Sequence, residues 1–156
     1  MSNVYLDHAA TTPLREEVLA AMEPYLSAAF GNPSSSHRWG QEAAAALEDA
    51  RAKLANAIGA GPSEVRFVRG GTESDNIALI GGARALVRAD SAATPVVLVS
   101  AIEHSAVLEP AEWLHKRAEA EMRVIPVAAD GTLDLHGVSA DLAARPFLAS
   151  VMWANN

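Results

Sequence analysis

The sequence has no cysteine among its 156 residues. Disulfides, thiolate metal sites and cysteine nucleophiles are therefore excluded within these residues. Lysine is nearly as scarce, since Lys53 and Lys116 are the two lysines of the chain. Both fall in predicted amphipathic helices, where we expect a solvated ammonium group rather than a buried, activated amine.

Long apolar runs and an excess of positive charge are also missing. No apolar stretch approaches the roughly 20 residues that span a bilayer, and the first residues lack the features of a secretory signal or transit peptide. The formal net charge of −7 disfavours nucleic acid as the main partner, because phosphate backbones require basic surfaces. No histidine spacing indicates a metal site. We therefore expect a cytoplasmic protein with no membrane or nucleic-acid partner and no bound metal.

The residues that are present indicate a globular α/β fold. Half of them are apolar and a fifth are charged, which suits one sizeable core. Periodicity predicts helices over 13–29, 37–58, 72–87, 106–120 and 138–144, and strands over 65–68, 95–100, 122–127 and 147–152. From residue 65 onward strands and helices alternate, which predicts a mainly parallel sheet with helices on its faces.

One turn has the chemistry of an anion site. The short predicted strand Val65–Val68 leads into Gly70 and Gly71, and a helical pattern begins at Thr72. Such a helix N-terminus presents free backbone N–H groups, which favour an anion and most often a phosphate. Thr72 can cap the helix and donate its hydroxyl to a phosphate oxygen. An ordinary strand–helix turn remains open as the alternative, whereas the Walker and dinucleotide-binding spacings are absent.

Two further polar clusters follow predicted strands. His104 follows the second strand, and Asn155 follows the last one. Ligands of parallel sheets bind at the carboxyl ends of the strands, so we expect both residues near the glycine turn. His104 can act as a general base, a metal ligand or a stacking surface, or it can be a structural histidine. Asn155 can bind a hydroxyl or a carboxylate, or it can serve turn chemistry.

Five segments in a fixed order carry a resemblance to a known family. They are Tyr5-Leu6-Asp7-His8-Ala9-Ala10-Thr11-Thr12-Pro13, Gly31-Asn32-Pro33-Ser34-Ser35-Ser36-His37, Gly70-Gly71-Thr72-Glu73-Ser74-Asp75-Asn76, Glu103-His104-Ser105-Ala106-Val107 and Met152-Trp153-Ala154-Asn155-Asn156. In these segments the chain resembles the N-terminal part of the class V aminotransferase-like enzymes that use pyridoxal phosphate. Within that family it is most similar to the NifS-type cysteine desulfurases.

The resemblance implies a fold, a domain organisation and a set of site residues. The fold would be part of a fold type I pyridoxal-phosphate transferase, with a helical segment over 1–60 that contributes to the small domain and the dimer contact. Residues 61–156 would form the first half of the cofactor-binding large domain. The backbone of Gly71 and the side chain of Thr72 would hold the cofactor phosphate. His104 would stack on the pyridine ring and assist proton transfer. Asn155 would bind the ring hydroxyl side or the substrate carboxylate, with Asn32 near the substrate.

The resemblance also implies an activity and partners. The family reaction converts L-cysteine to L-alanine and passes the sulfur to an enzyme thiol, for iron–sulfur cluster assembly or tRNA thiolation. The full-length enzyme would be a homodimer that meets scaffold or sulfur-acceptor proteins. The Schiff-base lysine and the catalytic cysteine cannot be placed in this chain, so we expect an inactive N-terminal fragment. Another class V enzyme, such as a selenocysteine lyase or an aminotransferase, and a non-catalytic module that binds a partner remain alternatives.

Overall fold

The computed structural model describes residues 4–134, 138–139, 142–143 and 146–154. The chain forms two compact units, residues 1–67 and 68–156. The boundary expected from the sequence, after residue 60, stays a prediction of domain organisation. In the described residues no helix is both long enough and apolar enough to cross a membrane.

The first unit is built around one long helix. Helix α1 spans Glu16–Met22 and continues as a 3-10 turn, Glu23–Leu26. Helix α2 spans Arg38–Ile58. His37 caps its start, because Nδ1 accepts a hydrogen bond from the N–H of Gly40 at 3.3 Å. Gly59 ends it in the left-handed conformation, at a φ of 70°, which glycine adopts without a steric penalty. These bounds confirm the predicted helix over 37–58.

The first predicted helix is shorter than its pattern suggested. The predicted helix over 13–29 instead begins after Arg15, without a side-chain cap. Two acids in the first turn, Glu16 and Glu17, complement the helix dipole there. Pro24 has no N–H to donate, so the α-helix gives way to a 3-10 turn at this end.

The second unit begins with one continuous helical stretch made of three pieces. Helix α3 spans Gly71–Asn76, a π-helical turn spans Ile77–Gly81, and helix α4 spans Gly82–Ala89. The predicted helix over 72–87 is therefore confirmed, with a wider turn in its middle. Helix α5 spans Ser105–Lys116 and stops four residues before the predicted end. Its C-terminal reversal places Ala118 at a φ of 56°.

In the described residues the sheet has three parallel strands, in the order β2-β1-β3. Strand β1 spans Val96–Ser100, β2 spans Glu121–Ile125 and β3 spans Leu148–Ser150. The centre of β1 is fully buried, as is typical of an unbroken apolar run such as Val96–Val99 in a parallel sheet. One face packs on the helices, through Val97, Val99, Leu79, Ala83, Val107, Ala111 and Leu114. The opposite face places Leu98 against Ile125 and Val138.

One predicted strand is wrong. Residues 65–68 pair with no strand in the described part of the chain. Val65 is extended, but its carbonyl oxygen accepts hydrogen bonds from Arg51 Nη1 at 2.8 Å and from Arg66 Nη1 at 3.2 Å. The Arg51 guanidinium also lies 5.0 Å from the centre of the Phe67 ring. Arginine contacts thus replace the backbone ladder that a strand requires.

The last predicted elements are partly described. A turn at Asp130 and Gly131 is present, with the N–H of Gly131 donating to the carbonyl of Ala128 at 2.9 Å. The predicted helix over 138–144 is helical at 138–139 and 142–143, and its other residues lie outside the described part. His136 also lies outside it. The final strand covers three of the six residues predicted for it.

Candidate functional site

The glycine turn opens helix α3 and faces empty space. Gly70 is the N-cap, with φ 167° and ψ 179°, and Gly71 is the first helical residue. A Cβ built on either glycine would meet no atom within 4 Å. Packing inside the chain therefore does not require glycine at these two positions. The missing side chains leave room in front of the helix N-terminus instead.

Thr72 lies inside the helix rather than at its cap. The expected capping role is wrong, because Gly70 occupies the N-cap and no side-chain hydrogen bond caps this helix. The exposed Thr72 side chain lies in the first turn. The first N–H groups of a helix have no acceptor within it, which applies to Gly71 and Thr72. Gly71 and Thr72 both line the open space at this turn.

Charged and amide side chains surround this turn. A shallow concavity is lined by Arg69, Gly70, Gly71, Thr72, Glu73 and Asn76. Glu73 reaches back over the turn, and its Oε2 accepts the N–H of Arg69 at 2.8 Å. Asn76 Nδ2 donates to the carbonyl oxygen of Thr72 at 2.7 Å. These two bonds hold the backbone of the turn in shape, and Arg69 adds a positive charge to its rim.

His104 caps the start of helix α5. Its Nδ1 accepts a hydrogen bond from the N–H of Ala106 at 3.0 Å. The neutral ring therefore carries its proton on Nε2, and the side chain is exposed. A cap with this geometry leaves the ring face and the Nε2 edge available to a ligand. In the part of the chain that the structure describes, no cluster of three acidic or histidine side chains is arranged to hold a metal ion.

The structure brings the glycine turn and the His104 segment together. Helix α3 packs on helix α5. Thr72 and Asn76 line one depression together with Ser105, Ala106 and Trp113. Because α5 follows the carboxyl end of β1, the glycine turn lies beside the sheet edge where parallel α/β folds bind ligands. Helix α3 with Thr72 and the start of helix α5 therefore lie next to each other, whereas His104 is not among the residues that line this depression, and its role stays a prediction.

The predicted site also includes two asparagines, Asn32 and Asn155. Asn32 lies in the first compact unit. Its Oδ1 accepts the N–H of Ser34 at 2.9 Å, and its carbonyl accepts the N–H of Ser35 at 2.9 Å, so it shapes its own loop. Asn155 lies outside the described residues. Trp153, two residues earlier, is completely exposed. Both asparagine roles stay predictions.

Both lysines are solvated ion-pair partners, as expected. Lys53 Nζ lies 2.6 Å from Asp49 and Lys116 Nζ lies 2.8 Å from Glu112, and the lysine side chains are 76% and 73% exposed. The hydrogen bond to Asp49, with the charge of that carboxylate, raises the pKa of Lys53. An amine that attacks a carbonyl needs a lowered pKa, so this environment acts against such a role.

Sequence reasoning did not find one polar pair at the end of β1. Ser100 is fully buried, and its hydroxyl donates to Oε1 of the buried Glu103 at 2.8 Å. The signal in the sequence is an acid three residues after a hydroxyl that ends an apolar strand. That spacing allows a hydrogen bond between the two side chains only when the connector turns back on itself.

A parallel sheet with a glycine turn beside its carboxyl edge is typical of α/β domains that bind a phosphorylated ligand. The family model for aminotransferase class-V matches residues 4–156. The chain therefore belongs to the class V aminotransferase family, whose members depend on pyridoxal phosphate.

Within that family, the chain is similar to several named proteins. Cysteine desulfurase IscS of Dictyoglomus turgidum is 47% identical over 153 residues, covering 98% of this chain and 38% of that protein. A solved NifS-like protein has a TM-score of 0.85 at 32% identity, covering 99% of this chain and 41% of the other. SspA in complex with cysteine has a TM-score of 0.66 at 34% identity, covering 79% and 34% respectively. The chain thus spans about two fifths of the length of such relatives, and it corresponds to their N-terminal portion.

Proposed function

We propose that this chain is the part of a cysteine desulfurase that holds the phosphate end of pyridoxal phosphate. The open space before Gly70 and Gly71 carries the proposal, because intrachain packing gives no reason for two glycines there. A phosphate can approach the backbone N–H groups closely at such a turn. The names of the relatives favour cysteine desulfurase over a selenocysteine lyase or an aminotransferase.

The residues present fit the cofactor. Gly71 and Thr72 offer two backbone N–H donors and a hydroxyl, which suit a phosphate dianion, and Arg69 adds positive charge at the rim. His104 offers an exposed ring at the start of the neighbouring helix. When bound, pyridoxal phosphate supplies an electron sink for carbanion chemistry at an amino acid. The chain's own part is to anchor the phosphate, to stack the His104 ring on the pyridine, and to hold a proton at Nε2.

The remaining roles complete the proposal. The substrate is L-cysteine, the product is L-alanine, and the sulfur goes to a thiol outside these 156 residues, since they contain no cysteine. Asn155 binds the cofactor ring hydroxyl or the substrate carboxylate, and Asn32 contributes near the substrate. The enzyme works in the cytoplasm as a homodimer, with residues 1–60 in the small-domain part. It delivers sulfur to an iron–sulfur scaffold or another acceptor protein.

The first experiment separates the phosphate site from the fold. Gly71→Ala places a methyl group in the open space, so the chain should fold normally but should bind pyridoxal phosphate and inorganic phosphate at least about tenfold more weakly. Gly81→Ala is the matched control, because the nearest atom to its Cβ is Ile77 Cγ2 at 3.9 Å, away from the turn. Binding is followed by cofactor fluorescence, and folding is followed by circular dichroism.

The second experiment tests the hydroxyl of Thr72. Thr72→Ala should weaken binding of pyridoxal phosphate about tenfold, and Thr72→Ser should restore most of it, because a hydrogen bond to a charged phosphate contributes roughly 1.5–3 kcal/mol. Ser74→Ala removes an exposed hydroxyl from the same helix and should have no effect. Equal affinities for the wild type, Thr72→Ala and Gly71→Ala would contradict the proposed site.

A further inference from the structure

The connector between β1 and α5 contains a buried carboxylate. Glu103 is 7% exposed and Ser100 is 0% exposed, and they form a side-chain hydrogen bond of 2.8 Å. Burying a carboxylate is costly, so an acid at a covered position needs a compensating partner. The Ser100 hydroxyl is the partner that the structure gives it. The proposed anchoring of the phosphate makes no use of this pair.

The same two residues also close a tight backbone turn. The N–H of Glu103 donates to the carbonyl of Ser100 at 3.2 Å, so the side-chain bond duplicates a backbone bond between the same residues. The N–H of Ala101 donates to the carbonyl of Ile125 at 2.9 Å. This second bond ties the start of the connector to the end of β2. The connector is thus attached to the sheet at Ala101 and at Glu103.

His104 follows directly on this fastened turn. Its carbonyl accepts the N–H groups of Val107 at 2.9 Å and Leu108 at 3.1 Å, and its Nδ1 accepts the N–H of Ala106. The helix therefore fixes His104 from one side. Glu103 is the last residue that can fix it from the side of the sheet. The direction of the His104 ring depends on both attachments, because a cap residue is only half inside its helix.

We propose that Glu103 is a positioning residue that, through its bond with Ser100, holds His104 at the N-cap of α5 with its ring facing outward. This inference rests on the proposed function, in which His104 stacks on the cofactor. It assigns Glu103 no contact with the cofactor or the substrate. Without the Ser100–Glu103 bond the connector relaxes, the bond from Ala106 to Nδ1 weakens, and the ring samples other directions.

The test uses nuclear magnetic resonance of the histidine ring and of one amide. In the wild-type chain His104 should show the tautomer with the proton on Nε2, and the Ala106 amide should be protected from exchange. Glu103→Ala and Ser100→Ala should each mix the tautomers and speed exchange at Ala106 about tenfold, while the amide of Leu114 in the same helix keeps its rate. The double variant Ser100→Ala/Glu103→Ala should show the same tautomer mixture and the same Ala106 exchange rate as Glu103→Ala alone. Each substitution removes the same hydrogen bond, so their effects should not add.

Conservative and matched variants separate positioning from general destabilisation. Glu103→Gln keeps an acceptor for the Ser100 hydroxyl and should restore the wild-type ring signature. Glu112→Gln is the surface control on α5, where Glu112 pairs with Lys116, and should change neither signal. Ser100→Ala removes the same hydrogen bond by deleting a single hydroxyl. If Glu103→Ala fails to fold, Ser100→Ala therefore tests whether this bond positions His104. An unchanged His104 tautomer and Ala106 rate in Ser100→Ala and Glu103→Ala would overturn the proposal, as would equal loosening at Leu114.

A binding measurement keeps this inference apart from the proposed function. Glu103→Ala should weaken the binding of pyridoxal phosphate several-fold but leave the affinity for inorganic phosphate unchanged. Inorganic phosphate would contact only the glycine turn and not His104. A wild-type chain that binds neither ligand would remove the proposed function, and the histidine signals would still decide the role of Glu103. An equal loss of both ligands in Glu103→Ala would contradict positioning through His104.

Discussion

Gly82 lies directly against the ring of Phe147. A Cβ on Gly82 would overlap Cζ of that ring and would stand 3.1 Å from Cε2. Gly82 begins α4 at the end of the π-helical turn, and Phe147 directly precedes β3. The N–H of Phe147 also donates to the carbonyl of Val96 at 2.9 Å. Contact between this helix and the sheet therefore depends on the absence of one side chain.

Gly82→Ala should destabilise the fold by about 1–3 kcal/mol, because the ring of Phe147 must move to make room. Gly81→Ala is the adjacent control, with a helical φ of −62° and only Ile77 Cγ2 near its Cβ, at 3.9 Å. That variant should instead gain about 0.5–1 kcal/mol from alanine's helix propensity. Urea unfolding measures both, and equal midpoints for the two variants would contradict the contact.

Ala118→Gly should stabilise the second unit. Ala118 has a φ of 56°, a left-handed conformation that costs a residue with a Cβ roughly 1–2 kcal/mol. Glycine adopts that conformation freely, although it also gains entropy in the unfolded chain, so the net gain should be about 0.5–1 kcal/mol. Ala85→Gly, on the exposed face of α4, is the control and should lose about 1 kcal/mol. A loss of stability in Ala118→Gly would count against the left-handed turn.

The acid side of the stability curve should depend on Glu119. Hydrogen bonds from Arg84 and then Arg117 lower the pKa of this carboxyl below its ordinary value of 4.5. A lowered pKa stabilises the fold above the unfolded pKa, and this contribution disappears as the pH falls through the folded pKa. Glu119→Gln should therefore lower the urea midpoint at about pH 7 and have less effect at about pH 3. An effect that is the same at both pH values would contradict the ion pairs as its source.

Gly40→Ala should loosen the loop before α2. A Cβ on Gly40 would overlap the carbonyl oxygen of Ser35 and come within 2.8 Å of the carbonyl oxygen of Asn32. Because backbone atoms cannot move aside as side chains do, the loop or the first turn of the helix must shift, at a cost of about 1–3 kcal/mol. Faster tryptic cleavage at Arg38 would report the change. Gly61→Ala, which faces the flexible side chain of Glu64, is the control.

Much of the fold could be read from local sequence signals. The ends of α2, with Gly59 directly after it, and the apolar run from Val96 to Val99 were predictable, because these signals act within a few residues. The strand predicted at Val65 is wrong because a strand needs a neighbouring strand to pair with. The carbonyl oxygen of Val65 accepts hydrogen bonds from arginine side chains instead. The π-helical turn has no signal of its own in the pattern of apolar residues.

The candidate site was predicted in part. Gly71, Thr72 and His104 were chosen from motif chemistry, and the structure places their segments beside one another. The capping role of Thr72 was wrong, because the N-cap is Gly70, two residues before Thr72. The Ser100–Glu103 pair was not predicted from the sequence, because it depends on how a four-residue connector folds back over the end of the strand.

The π-helical turn changes which side chains of the long helix of the second unit share one face. Each residue of an α-helix rotates the next side chain by about 100°, so a regular α-helical turn with the same residues in place of the π-turn at Ile77–Gly81 would rotate α4 by about that amount relative to α3. Ala83 would leave the sheet and Gly82 would leave the ring of Phe147, while the glycine turn would keep its place beside α5. The extra residue in this turn thus allows α3 and α4 to present different faces, one at the glycine turn and one at the sheet.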